Sequence, residues 1–586
     1  MTDSGTPGPE DGQRSEAASN DAAENETAAN ETAPNDAAAN ETAANEAAAP
    51  EPMTTGATPT GSVDSGMPDP DEVVAPASAG AGADAASAPK KVRRSRARPT
   101  RPSKPSRPPR APVTARGAAL ASARVAAGAV GVGVGIVAVL VAIFVPFPSI
   151  QSAPASVTVT PVPTAQQLVC AGSLLRLGSA SGEDATTATS LGGADVTFAA
   201  TSGEPTTTVL ENSNGSPRIV SVPPSDTGEV ALVTGSQSQT LSNSDFAGYA
   251  AADCAAASTD AWLVGGSTTT GRTTLLTLAN PSDVQSTVAL AIYDEGGRID
   301  APGSTGIIVP ARGQRVLSLA GFAPETATPV VHVTSKGGQI VANLQQSISR
   351  GLEPGGVDIV GSTAAPATTQ IIPGLVVPSA VAVEQRLGQD DSSDFRTVLR
   401  ILVPGDTSTD ATITVAPEAS EKPVTSFDIS LKPGVVTDVP IEGLSNGRYS
   451  ITAKTDEPIV AGVRVSVAAS ASPAAGSTDF AWIAAPAELT ASAVFSAPVG
   501  PHPFINIAND GTDPVDVTLA ELGGDETVIS VPAGGATYGV LTPGASYRLD
   551  SPATVRATVS LNGVGKLAGF PVREPLSTSG AITIYP

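Results

Sequence analysis

The sequence predicts a mainly β chain: tandem antiparallel β-sandwich domains of Ig-like size, behind a disordered amino-terminal tail and one transmembrane helix. Short runs of Val, Ile, Leu and Thr alternate with polar residues through the last four hundred or so positions, the period of half-buried strands. Gly and Pro number 58 and 52 of 586 residues while aromatics are only 3%, a turn-rich composition. Charge is segregated: residues 1–89 hold 17 acids and one base, residues 90–124 hold 12 bases and no acid, and the remainder holds 40 acids and 20 bases. Three blocks of alternating sign imply three environments.

Residues 1–89 form the acidic tail. Asn recurs every five positions from Asn20 to Asn45, a period that fits neither helix nor strand, and large apolar side chains are almost absent. Such a segment cannot offset its ordering entropy by burial. Residues 90–124 are a basic juxtamembrane segment. Pro99, Pro102, Pro105 and Pro108 interleave with Arg98, Arg101, Lys104, Arg107 and Arg110, giving a polyproline II rod with one proline edge and one cationic edge. Anionic lipid, nucleic acid and a proline-recognising domain all fit that rod. Its position beside an apolar segment and its lack of stacking aromatics favour a topogenic role, with Arg110, Arg116 and Arg124 nearest the membrane and no nucleic-acid partner.

The membrane helix is placed over residues 125–147. Val125 and Val145 bound a stretch without a charge, about 31 Å long as a helix, which matches the hydrocarbon core. The 124 residues before it favour a retained anchor over a signal peptide, with Ala153-Pro154-Ala155 the candidate site if it is cleaved. The positive-inside rule keeps the amino terminus cytoplasmic and exports everything after Val145. Cys170 and Cys254 both lie in the exported part. In an oxidising exterior they pair, closing a loop worth about 4 to 5 kcal/mol by chain entropy; two free thiols are the alternative.

The exported part divides into a disulfide-closed β domain over residues 156–258 and β-sandwich units over 259–360, 370–470 and 475–586. The division rests on a long repeat. Equivalent points at Pro281, Pro404 and Asp510 lie 123 and 106 residues apart, the size of a small sandwich. The lead-ins echo as well, with Thr259-Asp260-Ala261-Trp262 before the first and Thr478-Asp479-Phe480-Ala481-Trp482 before the third.

This half resembles an uncharacterised family of actinobacterial membrane-anchored proteins, a domain of unknown function. The resemblance is carried by Leu168-Val169-Cys170-Ala171-Gly172, by Cys254 followed by Asp260-Ala261-Trp262-Leu263-Val264-Gly265-Gly266, and by Thr274 to Pro281, and it covers about residues 155–586. It implies export and one amino-terminal anchor in an actinobacterial envelope, with no established activity and no catalytic residue to transfer.

Chemical motifs are sparse. Two Cys and two His are too few for a zinc finger, an iron-sulfur cluster or a haem array, and no cofactor or metal is expected. Gly443-Leu444-Ser445-Asn446-Gly447 has the form of a nucleophile elbow, but the residues after it read as a strand, so an Asn-Gly turn is expected. His332 alternates with valines on a strand's polar face and His502 lies between prolines; neither is read as a general base. Asp390, Asp391 and Asp394 have calcium-like ligands without EF-hand spacing and are read as a solvated loop. Trp262 and Trp482 are expected to plug cores. The excess of acid argues against polyanionic ligands.

The expected protein is therefore a non-enzymatic, membrane-anchored envelope protein whose β units act outside the cell as scaffold or binding modules. Its partners are the membrane and another envelope protein or cell-wall polymer. A transmembrane coupler holding a cytoplasmic partner is the second reading, and an enzyme acting on envelope polysaccharide is the third.

Overall fold

The structure, a computed structural model, describes residues 115–144, 157–159, 165–178, 187–211, 213–224, 230–420, 422–472, 477–575 and 582–584. The acidic tail, Arg110 and Val145 lie outside the described residues. A 30-residue helix, Ala115–Phe144, and the β body that follows are separate compact units. The side chains of Arg116, Arg124 and Val125 on this helix also lie outside the described residues. Over residues 126–141 every side chain is exposed, Val130, Ile136 and Leu140 among them. Among the described residues, no helix is long and apolar enough to cross a membrane.

Among the described residues the named strands of the body all pair antiparallel, with one two-turn α-helix, Ala380–Leu387. Its first β unit holds the sheets Gln166–Cys170 / Arg218–Val222 / Thr206–Val209 and Asp195–Ala200 / Val233–Ser242 / Ala247–Asp253. Cys170 and Cys254 are joined by a disulfide and pack with Val220, Val222 and Val233.

The next three units repeat one strand order. In the second, Asp260–Val264, Val330–Lys336, Ser286–Asp294 and Gly297–Ile299 form one sheet, and Gly313–Ser318, Arg272–Asn280, Val341–Arg350 and Glu353–Val360 form the other. Leu276, Leu278 and Leu344 of one sheet meet Val288, Leu290 and Val333 of the other in a shared core. The fourth unit has the same order in Ala493–Ser496, Ser546–Asp550, Val515–Glu521, Glu526–Val531 and in Gly535–Val540, Pro503–Asn509, Arg556–Gly563, Lys566–Pro571. In the third, one 22-residue strand, Gly447–Ala468, serves both sheets. Its first half pairs with Ala367–Val377 and Thr409–Pro417, its second half with Val398–Leu402 and Thr478–Ala484.

Pairing of Thr478–Ala484 with Gly447–Ala468 moves one boundary. The sequence division assigned this stretch to the unit beginning at 475, as the echo of Thr259-Asp260-Ala261-Trp262. It is instead the last strand of the third unit, whereas Asp260–Val264 is the first strand of the second. All seven of its residues are buried, so neither face shows the alternation that separates a lead-in from a closing strand.

Each unit's last strand is inserted into a neighbour. On Thr478–Ala484, Ala481 and Ile483 enter the core of their own unit while Phe480 and Trp482 enter the core of the second. Lys566–Pro571 sends Leu567 into the third unit's core and Ala568 and Phe570 into its own. Ala247–Asp253 places Tyr249 and Ala251 in the fourth unit's core, and its Ala250 and Ala252 pack with Val357 and Ile359 from the last strand of the second. The cycle closes, first to fourth to third to second to first. The outermost described strands, Val157–Val159 and Ile582–Ile584, also pair with each other.

Candidate functional site

Two junctions of the third unit carry buried charge. The first is at the centre of the cycle. Asp479 is 1% exposed. Its Oδ2 accepts the backbone N–H of Tyr249 at 2.8 Å and of Leu567 at 3.1 Å, and its Oδ1 accepts that of Val357 at 3.1 Å. One carboxylate thus holds the first, fourth and second units to the third. Burial pushes the pKa of this carboxyl up, opposed by these donors and the N–H of Phe480. The chains can approach this closely because Gly248 and Gly356 flank it at φ +147° and +119°. A Cβ on Gly248 would lie 2.6 Å from Asp479 Oδ1, and one on Gly356 2.7 Å from the Phe480 ring. Nearby, Trp482 N donates to Asp358 Oδ2 at 2.7 Å and Trp482 Nε1 to Gln346 Oε1 at 2.8 Å.

The second junction is a cleft of about 530 Å³ between the second and third units. Arg400, an inward residue of Val398–Leu402, donates a bidentate pair of hydrogen bonds to Asp438, Nε to Oδ1 at 2.8 Å and Nη2 to Oδ2 at 3.0 Å. It also donates to the carbonyls of Gly266, Pro329 and Ala327, clamping the second unit to the third. Arg350 reaches Asp394 at 2.8 Å and Arg272 reaches it at 3.2 Å, with Arg272 also on Asp391 at 2.7 Å. Arg464 is 8% exposed, and its Nε, buried, has no hydrogen-bond partner. Its Nη2 donates to the carbonyl of Arg396 at a marginal 3.5 Å.

The acidic loop therefore differs from the expectation of a solvated one. Asp390 and Asp391 stay at the surface, but Asp394 is buried between two guanidiniums because the loop folds under the ends of Arg272–Asn280 and Val341–Arg350. Among the described residues no group of three or more His, Cys, Asp and Glu gathers as a metal site. His332 lies at a strand position facing outward, stacked on Trp262 with ring centroids 4.0 Å apart and Nε2 2.7 Å from Asp260 Oδ2. His502 is in a loop at φ +40°. Ser445 precedes a strand, not a helix, and shares a 3.2 Å hydrogen bond with the Tyr449 hydroxyl. Trp262 and Trp482 are both core residues, 7% and 1% exposed. Sequence reasoning missed Asp479 and Arg464. The available signal was a lone charge set among inward apolar residues, as in Asp479-Phe480-Ala481-Trp482 and Val463-Arg464-Val465.

Four β units threaded through one another, closed by a disulfide and joined at charged junctions, define a mainly β assembly. The chain belongs to a family described as of unknown function (DUF5719), which matches residues 208–538, from the first unit into the fourth. A search of curated proteins finds no match to the chain.

Proposed function

We propose that this is a non-enzymatic, membrane-anchored protein of an actinobacterial cell envelope, whose exported Ig-like sandwiches form one rigid scaffold that holds another envelope protein or cell-wall polymer. The observation that carries this reading is the closed cycle of inserted strands around Asp479, which turns four modules into a single body. A chain of independent binding modules would keep its cores separate, with movable linkers between them. Rigidity of this kind suits a spacer that must hold a fixed distance.

Two further features support placement outside the membrane. The Cys170–Cys254 disulfide is the bond that persists in an oxidising compartment. The Ala115–Phe144 helix exposes apolar side chains all round over residues 126–141, a pattern suited to lipid, behind a basic segment suited to the cytoplasmic face. The test is a membrane-impermeant protease on intact cells. Cleavage should fall after Ser149 and release a fragment holding all four β units, with residues 1–124 spared. Protection of the β body with loss of the tail would overturn the orientation, and stepwise cleavage between units would overturn the scaffold.

A further inference from the structure

The cleft between the second and third units is lined by four arginines, Arg272, Arg396, Arg400 and Arg464, and by four carboxylates, Glu325, Asp391, Asp394 and Asp438. Arg272, Arg350 and Arg400 are each matched by Asp391, Asp394 or Asp438. Among the described residues, no carboxylate lies within ion-pairing distance of Arg464 or Arg396. Arg396 is exposed at the rim, so water solvates it. Arg464 has no such recourse: it is more than nine-tenths buried, lines the cleft, and keeps an unpartnered Nε–H. Burial holds its pKa down to about 10, which leaves the guanidinium charged at neutral pH. The opposite charges that act on it, Asp394 and Asp438, are engaged by other arginines, and a buried cation with an incomplete partner set is unfavourable unless something completes it.

What would complete it is constrained by the walls. A guanidinium presents a planar fork of N–H donors that matches a carboxylate or a phosphoryl group. The cleft is also lined by the hydroxyls of Ser267, Thr269 and Ser393 and the carboxylates of Asp438 and Glu325, polar groups of both hydrogen-bonding senses set among Ala327, Val398 and Pro440. That lining suits a ring carrying several hydroxyls, and the volume lies within the range of small-ligand pockets. We infer that this cleft binds an acidic saccharide, one oxyanion of the sugar pairing with Arg464 and Arg396 and its hydroxyls meeting the polar walls.

Titration of the full-length protein in detergent with glucuronate, glucose 6-phosphate, inorganic phosphate and glucose, followed by calorimetry, tests the site. At least one of the two acidic sugars should bind saturably, and glucose about tenfold or more weaker. A carboxylate preference identifies a uronic acid; a phosphate preference identifies a sugar phosphate. Arg464→Met should abolish the binding. Arg396→Ala, at an exposed position that leaves the fold intact, should weaken it about threefold to tenfold. Absence of saturable binding by both acidic sugars, or binding unmoved by either substitution, overturns the site. Inorganic phosphate binding as tightly as the sugars overturns the saccharide assignment.

Discussion

Asp479 and Arg464 are both buried ionisable groups at junctions of the third unit, and they are partnered in opposite ways. The carboxyl group at the hub is surrounded by backbone N–H groups from three other units, so its oxygens meet donors that the fold itself fixes. The guanidinium in the cleft has neighbours that are already committed elsewhere, and one of its donors is left over. The contrast teaches that burial alone does not distinguish a structural charge from one kept for a ligand. What distinguishes them is whether the partner set is complete.

The comparison can be broken most forcefully at the hub. Asp479→Ala leaves the N–H groups of Tyr249, Val357 and Leu567 without an acceptor in a dry interior, and should cost about 4 kcal/mol. Scanning calorimetry should show the single transition of the intact body separating into several. Removal of the Cys170–Cys254 bond by double substitution to serine comes next, with a loss of about 2 to 4 kcal/mol. Here the transition should shift without separating, because the disulfide lies inside one unit.

Two incompletely partnered acids give an effect that depends on pH. Burial pushes Asp358 and Glu418 up to about 8, against single donors from Trp482 and Gly374 for the most part, and Asp358 Oδ1 and Glu418 Oε2 have no partner. Both groups are neutral in the folded chain at pH 7 and ionised in the unfolded one. The folded state therefore binds the extra protons, and stability falls as pH rises from the ordinary carboxylate range to about 8. The slope is up to about 1.4 kcal/mol per pH unit for each group. Urea midpoints should be higher at pH 5.5 than at pH 8.5, and the paired substitution Asp358→Asn with Glu418→Gln should flatten the difference. At the far end, Asp283→Asn breaks the exposed pair with Arg312, and the melting temperature should stay where it is.

The strands themselves were open to reading. Ser286–Asp294 alternates buried and part-exposed residues, the period that marks half-buried strands in the sequence. The disulfide agrees with the pairing expected of Cys170 and Cys254, and the turn-rich composition agrees with a body whose described residues hold one two-turn α-helix. The exchange of last strands was not legible. In Thr478–Ala484 both faces are apolar, and an apolar face does not say whose core it enters. The same holds for the arginines: Arg400 and Arg464 occupy inward positions, but the carboxylates near them come from elsewhere in the chain, Asp438 from the neighbouring strand Val436–Pro440 and Asp394 from the turn before Val398–Leu402. Alternation is a local property, while charge compensation depends on the tertiary arrangement.

Val157–Val159 and Ile582–Ile584 lie side by side at the two ends of the β body. The polypeptide thus leaves the body at the place where it entered, like a necklace fastened by a clasp. A circular permutant joining these ends and reopened in the loop between Gly297–Ile299 and Ile307–Val309 should keep the same fold.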